Sequence, residues 1–231
     1  MLTYIKAFFI ALFSIIIATG VIIFSPFDYR GKITFIFSKI FSKGILLIAG
    51  VRIDIHGKEL LDKKENYIFI SNHQSYFDIP VLMQAVPNNL RFIYRSSLTR
   101  IPIFGWGMYL SGYIPINREN PREAIKSLRK ASEKIKKGIS VVVFPEGTRS
   151  PNGELGIFKR GMFVFAEEAN VKLVPTSITG SYNILPRNKF NICSGRVNVV
   201  FSKPIEYRKD KYFVNEIKET IKSNMKIETQ K

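Results

Sequence analysis

Residues Ala7 to Phe27 pass without a charged side chain, a run of 21 positions. That is long enough to cross a hydrocarbon core as a helix. Lys6 precedes the run, Pro26 is placed to end it, and no small-x-small cleavage site follows. The run therefore reads as an uncleaved anchor rather than a signal peptide. A basic turn, Arg30-Gly31-Lys32, leads to a second apolar stretch, Ile33 to Ala49, broken by Lys39 and Lys43. On a helix, Lys32, Ser38, Lys39, Ser42 and Lys43 fall near one side, with Phe37, Ile40, Phe41, Ile45 and Ile48 mostly on the other. Such a helix can lie in a membrane interface with its lysines at the headgroups. The alternative is a second helix packed on a soluble domain.

From Val51 the pattern becomes that of an α/β domain. Val51 to Ile55 alternates and reads as an antiparallel or edge strand. Tyr67 to Ile70, Arg91 to Tyr94, Tyr113 to Arg118, Ser140 to Phe144, Lys172 to Ile178 and Arg196 to Phe201 read as further strands. Asn120-Pro121-Arg122-Glu123 is a helix start, with Asn at the cap, Pro at the first position and Glu at the third. Ala124, Ile125, Leu128, Ala131 and Ile135 form its buried stripe, and Gly138 its stop. Other helices are expected near Phe158 to Ala169 and Lys211 to Met225. Ile101 to Leu110, with Trp106 between Gly105 and Gly107, reads as an irregular helix over a pocket, or as plain core. Strands alternating with helices predict an α/β fold: a mixed, largely parallel sheet flanked by helices. The N-terminal hydrophobic helix pair is the expected membrane anchor. The division falls at 1–50 for the anchor and 51–231 for the domain.

Lys plus Arg number 35 against 18 Asp plus Glu, a net charge of +17. Such an excess favours anionic partners: lipid headgroups, phosphorylated substrates, acidic proteins or nucleic acid. No basic-aromatic recognition motif supports nucleic acid, so no nucleic-acid partner is expected. Positive charge is greater after the first apolar run than before it, which favours the cytoplasmic face for the domain. The single cysteine, Cys193, excludes an internal disulfide, and without a CxxC or His-rich cluster no metal site is expected.

Candidate chemistry gathers after the Tyr67–Ile70 strand, in Ser71-Asn72-His73-Gln74-Ser75-Tyr76-Phe77-Asp78. The chain has only two histidines, His56 and His73. An aspartate accepting from one imidazole nitrogen fixes the tautomer and leaves the other free to take a proton, which Asp78 could do for His73. Ser75-x-x-Asp78 could also be a capping box, but Pro80 would then sit too deep in the helix. Asp78 as the cap itself avoids that difficulty, so cap and catalytic partner both stay open. The Ser140–Phe144 strand runs into Pro145-Glu146-Gly147-Thr148-Arg149-Ser150, which taken alone could be a turn with an internal ion pair.

With both stretches in view, the chain resembles the 1-acylglycerol-3-phosphate acyltransferases of the glycerolipid acyltransferase superfamily. The resemblance runs from about Ile55 to Gly180. Asn72, His73, Ser75 and Asp78 match the first block, and Gly112 to Arg118 is similar to the second. Phe144 to Ser150 matches the third, and Val174-Pro175 looks like the fourth. One departure stands out: where many members carry Lys-Lys-Glu-Leu, this chain has Arg95-Ser96-Ser97-Leu98, which keeps the first cation and loses the acid.

The resemblance implies transfer of a fatty acyl group from a thioester, acyl-CoA or acyl carrier protein, to the sn-2 hydroxyl of lysophosphatidate. The product is phosphatidate, and the setting is a membrane lipid bilayer. His73, oriented by Asp78, would act as general base; Ser75 as a nucleophile is a lesser alternative. Arg149 and Arg118 would bind the acceptor phosphate through forked hydrogen bonds. Gly147 would let the backbone approach the ligand, and Glu146 and Thr148 would bind hydroxyls or steady the arginines. No metal or cofactor is called for. Other acceptors, glycerol-3-phosphate or another lysophospholipid, fit the same motifs. A reading of another class is a basic membrane-anchored binding protein.

Overall fold

In a computed structural model, residues 1–29, 31–117, 119–159 and 163–229 are described. Their centre is a seven-stranded sheet: β1 (Val51–His56), β2 (Ile68–Ser71), β3 (Leu90–Arg95), β4 (Ile114–Ile116), β5 (Ser140–Val143), β6 (Leu173–Thr179) and β7 (Gly195–Phe201). The order across the sheet is β1-β7-β6-β2-β5-β3-β4. Strands β6, β2, β5, β3 and β4 run parallel. β7 turns antiparallel to β6 and carries β1 parallel to itself. The mixed, largely parallel sheet is therefore as expected, and β1 is an edge strand. β2 and β5 lie at the centre, buried at every position, as their continuous apolar runs require.

Helices cover both faces. On one side α2 (Lys32–Ala49) and α3 (Asp78–Ala85) pack Ile45, Leu46, Val81 and Leu82 against Phe69, Val142 and Val199. On the other, α5 (Pro121–Lys136), α6 (Val164–Ala169) and α7 (Phe213–Thr229) pack Leu128, Ile135, Ala166 and Ile217 against Ile68, Val141 and Val143. The Asn120 side chain caps α5, accepting from the amides of Arg122 and Glu123. α6 is shorter than the pattern predicts. Phe158 and Lys159 precede it in a loop, and residues 160–162 lie outside the described residues.

α1 (Leu2–Phe24) passes into a 3₁₀ turn at Ser25–Phe27 that contains Pro26. It is long and apolar enough to cross a membrane, and only 11% of its apolar window is buried. Yet it lies along the domain. A Cβ at Gly44 of α2 would collide with the Phe13 ring, and one at Gly20 would stand 2.7 Å from Phe37. Lys6 does not precede this helix but lies inside it, buried, donating to the carbonyl of Ala49 (2.8 Å) and to Ser194 Oγ (2.9 Å).

α2 corrects the expected orientation of this helix, because the hydroxyl residues of its polar stripe face inward. Thr34, Ser38 and Ser42 are buried, whereas Ile36, Ile40 and Leu47 are exposed. Small hydroxyl residues let the helix approach the domain closely. Tyr113 donates to Ser38 Oγ at 3.1 Å, and the Lys39 ammonium bonds the carbonyls of Met83 and Val86 at the C-terminal end of α3. Lys43 remains exposed. A further helix, α4 (Phe104–Leu110), packs its Gly107 onto Ala18 of α1. Its Trp106 is 51% exposed, so it is not core.

Candidate active site

The C-terminal ends of parallel strands are where backbone pairing stops and loops can converge, and the two sequence blocks meet there. β2 leads into the His73 segment, and β5 beside it leads into the Glu146 segment. Asn72 extends the pairing of β2 with β6 through its side chain. Its Nδ2 donates to the Ile178 carbonyl and its Oδ1 accepts from the Ile178 amide, both at 2.8 Å. The turn that follows sets His73 at the edge of the sheet.

Every part of His73 but one is held. Its Nδ1 lies 2.7 Å from Asp78 Oδ2. A carboxylate oxygen can only accept, so Nδ1 carries the proton and Nε2 is the basic nitrogen. The ring stacks on Phe144 with centroids 4.0 Å apart and planes inclined at 16°. Its backbone amide donates to Glu146 Oε1 at 2.7 Å, and its carbonyl accepts from the Ser150 amide at 2.7 Å. The side chain keeps 15% of its surface exposed, enough for a ligand to reach Nε2.

Asp78 is fully buried. Its Oδ2 also accepts from the amides of Gln74 (2.7 Å) and Ser75 (2.9 Å). It therefore does not cap α3, the other reading left open by the sequence. The chain folds residues 73–75 back over the first helical turn, and the carboxylate serves them instead. Pro80 falls in that first turn, where its missing N–H costs nothing. Ser75 is buried, with its hydroxyl on the Leu185 carbonyl at 2.9 Å. That hydroxyl bonds away from the imidazole, which leaves the nucleophile alternative without support.

Glu146 takes a different task from the one expected. Oε1 holds the His73 amide and Oε2 the Gly156 amide at 2.8 Å, so it braces three loops rather than steadying arginines. Burial pushes its carboxyl pKa up, while the bonds from those two amides pull the other way. Gly147 adopts φ 72°, open to few residues other than glycine, and a Cβ there would stand 3.2 Å from Lys159 Nζ. Thr148 is exposed beside it. Arg149 lies with its guanidinium carbon 3.6 Å above the Tyr76 ring, a cation–π stack that leaves its N–H edge available. Arg118, the other expected phosphate ligand, lies outside the described residues. Arg95 pairs with Glu119 at 2.5 Å on the surface.

Sequence reasoning missed the Glu146 brace, the Phe144 stack and the Tyr76 platform. Tyr76 and Phe144 both lay inside the motif stretches, but their partners are about seventy residues away in the chain and no local spacing pairs them.

The model of the acyltransferase family matches residues 52–179. The chain is 35% identical over 223 residues to the chloroplastic 1-acyl-sn-glycerol-3-phosphate acyltransferase of Arabidopsis thaliana, covering 96% of this chain and 62% of that protein. It is also 35% identical over 185 residues to the 1-acyl-sn-glycerol-3-phosphate acyltransferase of Saccharomyces cerevisiae, covering 78% and 60%. The chain thus spans about six-tenths of the length of these curated relatives. The crystal structure of the 1-acyl-sn-glycerophosphate acyltransferase PlsC from Thermotoga maritima superposes with a TM-score of 0.86 at 26% identity, covering 100% of this chain and 95% of that one. A family model that takes in more than half of the chain, with both sequence blocks inside it, shows that the chain belongs to the acyltransferase family.

Proposed function

We propose that this chain transfers a fatty acyl group from an acyl thioester to the sn-2 hydroxyl of 1-acyl-glycerol-3-phosphate, forming phosphatidate. The observation that carries this reading is the fixed His73 ring, with Nδ1 on the buried Asp78 carboxylate and Nε2 left as base. Nε2 takes the hydroxyl proton as the oxygen attacks the thioester carbonyl. The tetrahedral adduct then collapses, the C–S bond breaks, and the imidazolium returns its proton to the departing thiolate. General-base assistance of this kind contributes roughly 10²–10⁴-fold. The thioester is already activated, so no covalent enzyme intermediate is needed.

Arg149, preset on Tyr76, and Arg118 are proposed to bind the acceptor phosphate, with Gly147 and Thr148 beside it. Glu146 acts behind them by fixing the His73 backbone. The exposed apolar flank of α1 and α2 is proposed to hold the domain on the cytoplasmic face of a bilayer, where the acceptor resides. Extracting that lipid fully would cost roughly 0.8 kcal/mol per exposed methylene.

The test is turnover by the purified full chain with labelled acyl-CoA and acyl carrier protein thioesters. Each donor is paired with lysophosphatidate, glycerol-3-phosphate or a lysophospholipid lacking a phosphomonoester. Labelled phosphatidate from lysophosphatidate alone is expected, and the productive thioester identifies the donor. Preference for either other acceptor would replace the acceptor assignment, and thioester binding without transfer would end the enzymatic reading.

A further inference from the structure

Arg91 is the largest side chain with almost no exposure, at 1%. It stands second in β3, at the opposite end of the sheet from His73, which lies two residues past the end of the parallel strand β2. Its Nη1 donates to Asn89 Oδ1 (2.7 Å) and the Leu90 carbonyl (2.8 Å), and its Nη2 to the Gly31 carbonyl (2.9 Å). Its Nε is buried and has no hydrogen-bond partner among the described residues. A guanidinium so placed ordinarily carries a carboxylate, because an unpaired buried charge is costly. Among the described residues no carboxylate forms an ion pair with it. Asp28 pulls on it electrostatically, but that carboxylate already serves the amides of Ile33 (3.1 Å) and Thr34 (2.7 Å).

A second cation converges on the same place. Lys134 of α5 donates to the Gly112 carbonyl at 2.7 Å, and its pKa is lowered by burial and by the charge of Arg91. Gly112 precedes β4 at φ 77°. A Cβ built there would stand 3.4 Å from Arg91 Nε and 3.9 Å from Lys134 Nζ. Both nitrogens thus aim at the bare face of one glycine. Fastening α2 through Gly31 accounts for the Nη groups of Arg91, but not for its Nε or for a neighbouring ammonium that repels it.

We propose that Arg91 Nε and Lys134 Nζ bind an oxygen of a phosphate group over Gly112, at a second anion site apart from the acceptor. Gly112 and Lys134 are part-exposed, so the position lies just beneath the surface. Its margins are apolar and exposed. Tyr109 and Leu110 lie just before Gly112, and Phe27 and Tyr29 just before Gly31. Apolar margins around a phosphate position suit the headgroup of an anionic phospholipid whose chains follow the flank of α1. Free phosphate offers the same oxygens without the chains.

The experiment is thermal unfolding of the full chain in neutral detergent, at matched ionic strength with chloride as control. One arm adds inorganic phosphate; the other adds phosphatidylglycerol against phosphatidylcholine in mixed micelles. A ligand at about ten times its Kd should raise Tm by about 3–6 °C. The rise should persist in Arg149→Ala, which removes phosphate bound at the catalytic end. It should vanish in Lys134→Gln and in Gly112→Ala. A rise with phosphatidylglycerol but not with phosphate assigns a lipid headgroup, and a rise in both arms assigns phosphate from either source. No rise in either arm, or an equal rise in Lys134→Gln, overturns the site.

Discussion

The His73 end of the sheet and the N-terminal helix pair are held together in opposite ways. Around His73 the contacts are directional. Ring nitrogen, amide, carbonyl and ring face each meet a named partner, and Asp78 and Glu146 each serve two or more backbone amides. Along α1 and α2 the contacts are mostly matters of shape, with rings of Phe13 and Phe37 seated over Gly44 and Gly20. Lys6, Ser38 and Lys39 are polar exceptions. Directional networks fix atoms to within the reach of a reaction, whereas close packing fixes only how near two surfaces come. Changes at the first region should therefore act on rate, and changes at the second on where the protein resides.

The largest expected effect tests the first half of that contrast. His73→Ala should lower turnover by roughly 10²–10⁴-fold in a folded protein. Asp78→Asn should lower it less. The amides of Gln74 and Ser75 would hold the amide oxygen in the place of Oδ2, so the His73 tautomer survives and only the charge is lost. Steady-state rates with circular dichroism on both variants check this. Turnover of folded His73→Ala near that of the wild type would remove the base.

Arg149→Ala comes next. It should raise the acceptor KM by about one to two orders of magnitude, as the loss of a charge-assisted contact of about 1.5–3 kcal/mol implies. The donor KM should be nearly unchanged. Varying the two substrates separately settles it, and equal effects on both would move Arg149 out of the phosphate site.

Gly44→Leu sharpens the contrast from the other side. The side chain would push Phe13 away and lift α1 from α2. Flotation with vesicles should show weaker attachment, and activity on bilayer lysophosphatidate should fall several-fold more than activity on a short-chain soluble acceptor. Equal losses on both acceptors would mean that the helix pair also shapes the site. Removing residues 1–50 cannot make the same test cleanly, because Ile45, Leu46 and Ala49 belong to the core shared with the sheet.

The smallest expected effect lies at the seam between the two regions, at Lys39. Burial lowers its pKa to about 8 from an ordinary 10.5. Between those values the unfolded chain binds more protons than the folded one, so stability should rise with pH there and be flat, for this group, below about 8. The slope of unfolding free energy against pH, compared with that of Lys39→Met, measures the effect. A variant with the same slope would assign it to other groups.

The amino-acid sequence by itself determined most of the elements and the proposed catalytic pair. Continuous apolar runs marked β2 and β5, Asn120 and Pro121 marked the start of α5, and His73-x4-Asp78 fixed a histidine and its acid within one turn of chain. These are local facts, legible because spacing along the backbone sets distance directly. Partners across the fold were decided only by tertiary structure. Glu146 meets the His73 amide, and Arg149 meets Tyr76, across 73 residues, where no local spacing specifies a contact. The orientation of α2 was undecidable for another reason. A polar stripe ordinarily points to water, but a helix with lipid on one side and a domain on the other has no such rule. Here its serines turned inward because small hydroxyls let two backbones approach, and Ile36, Ile40 and Leu47 turned outward to a flank that solvent need not wet.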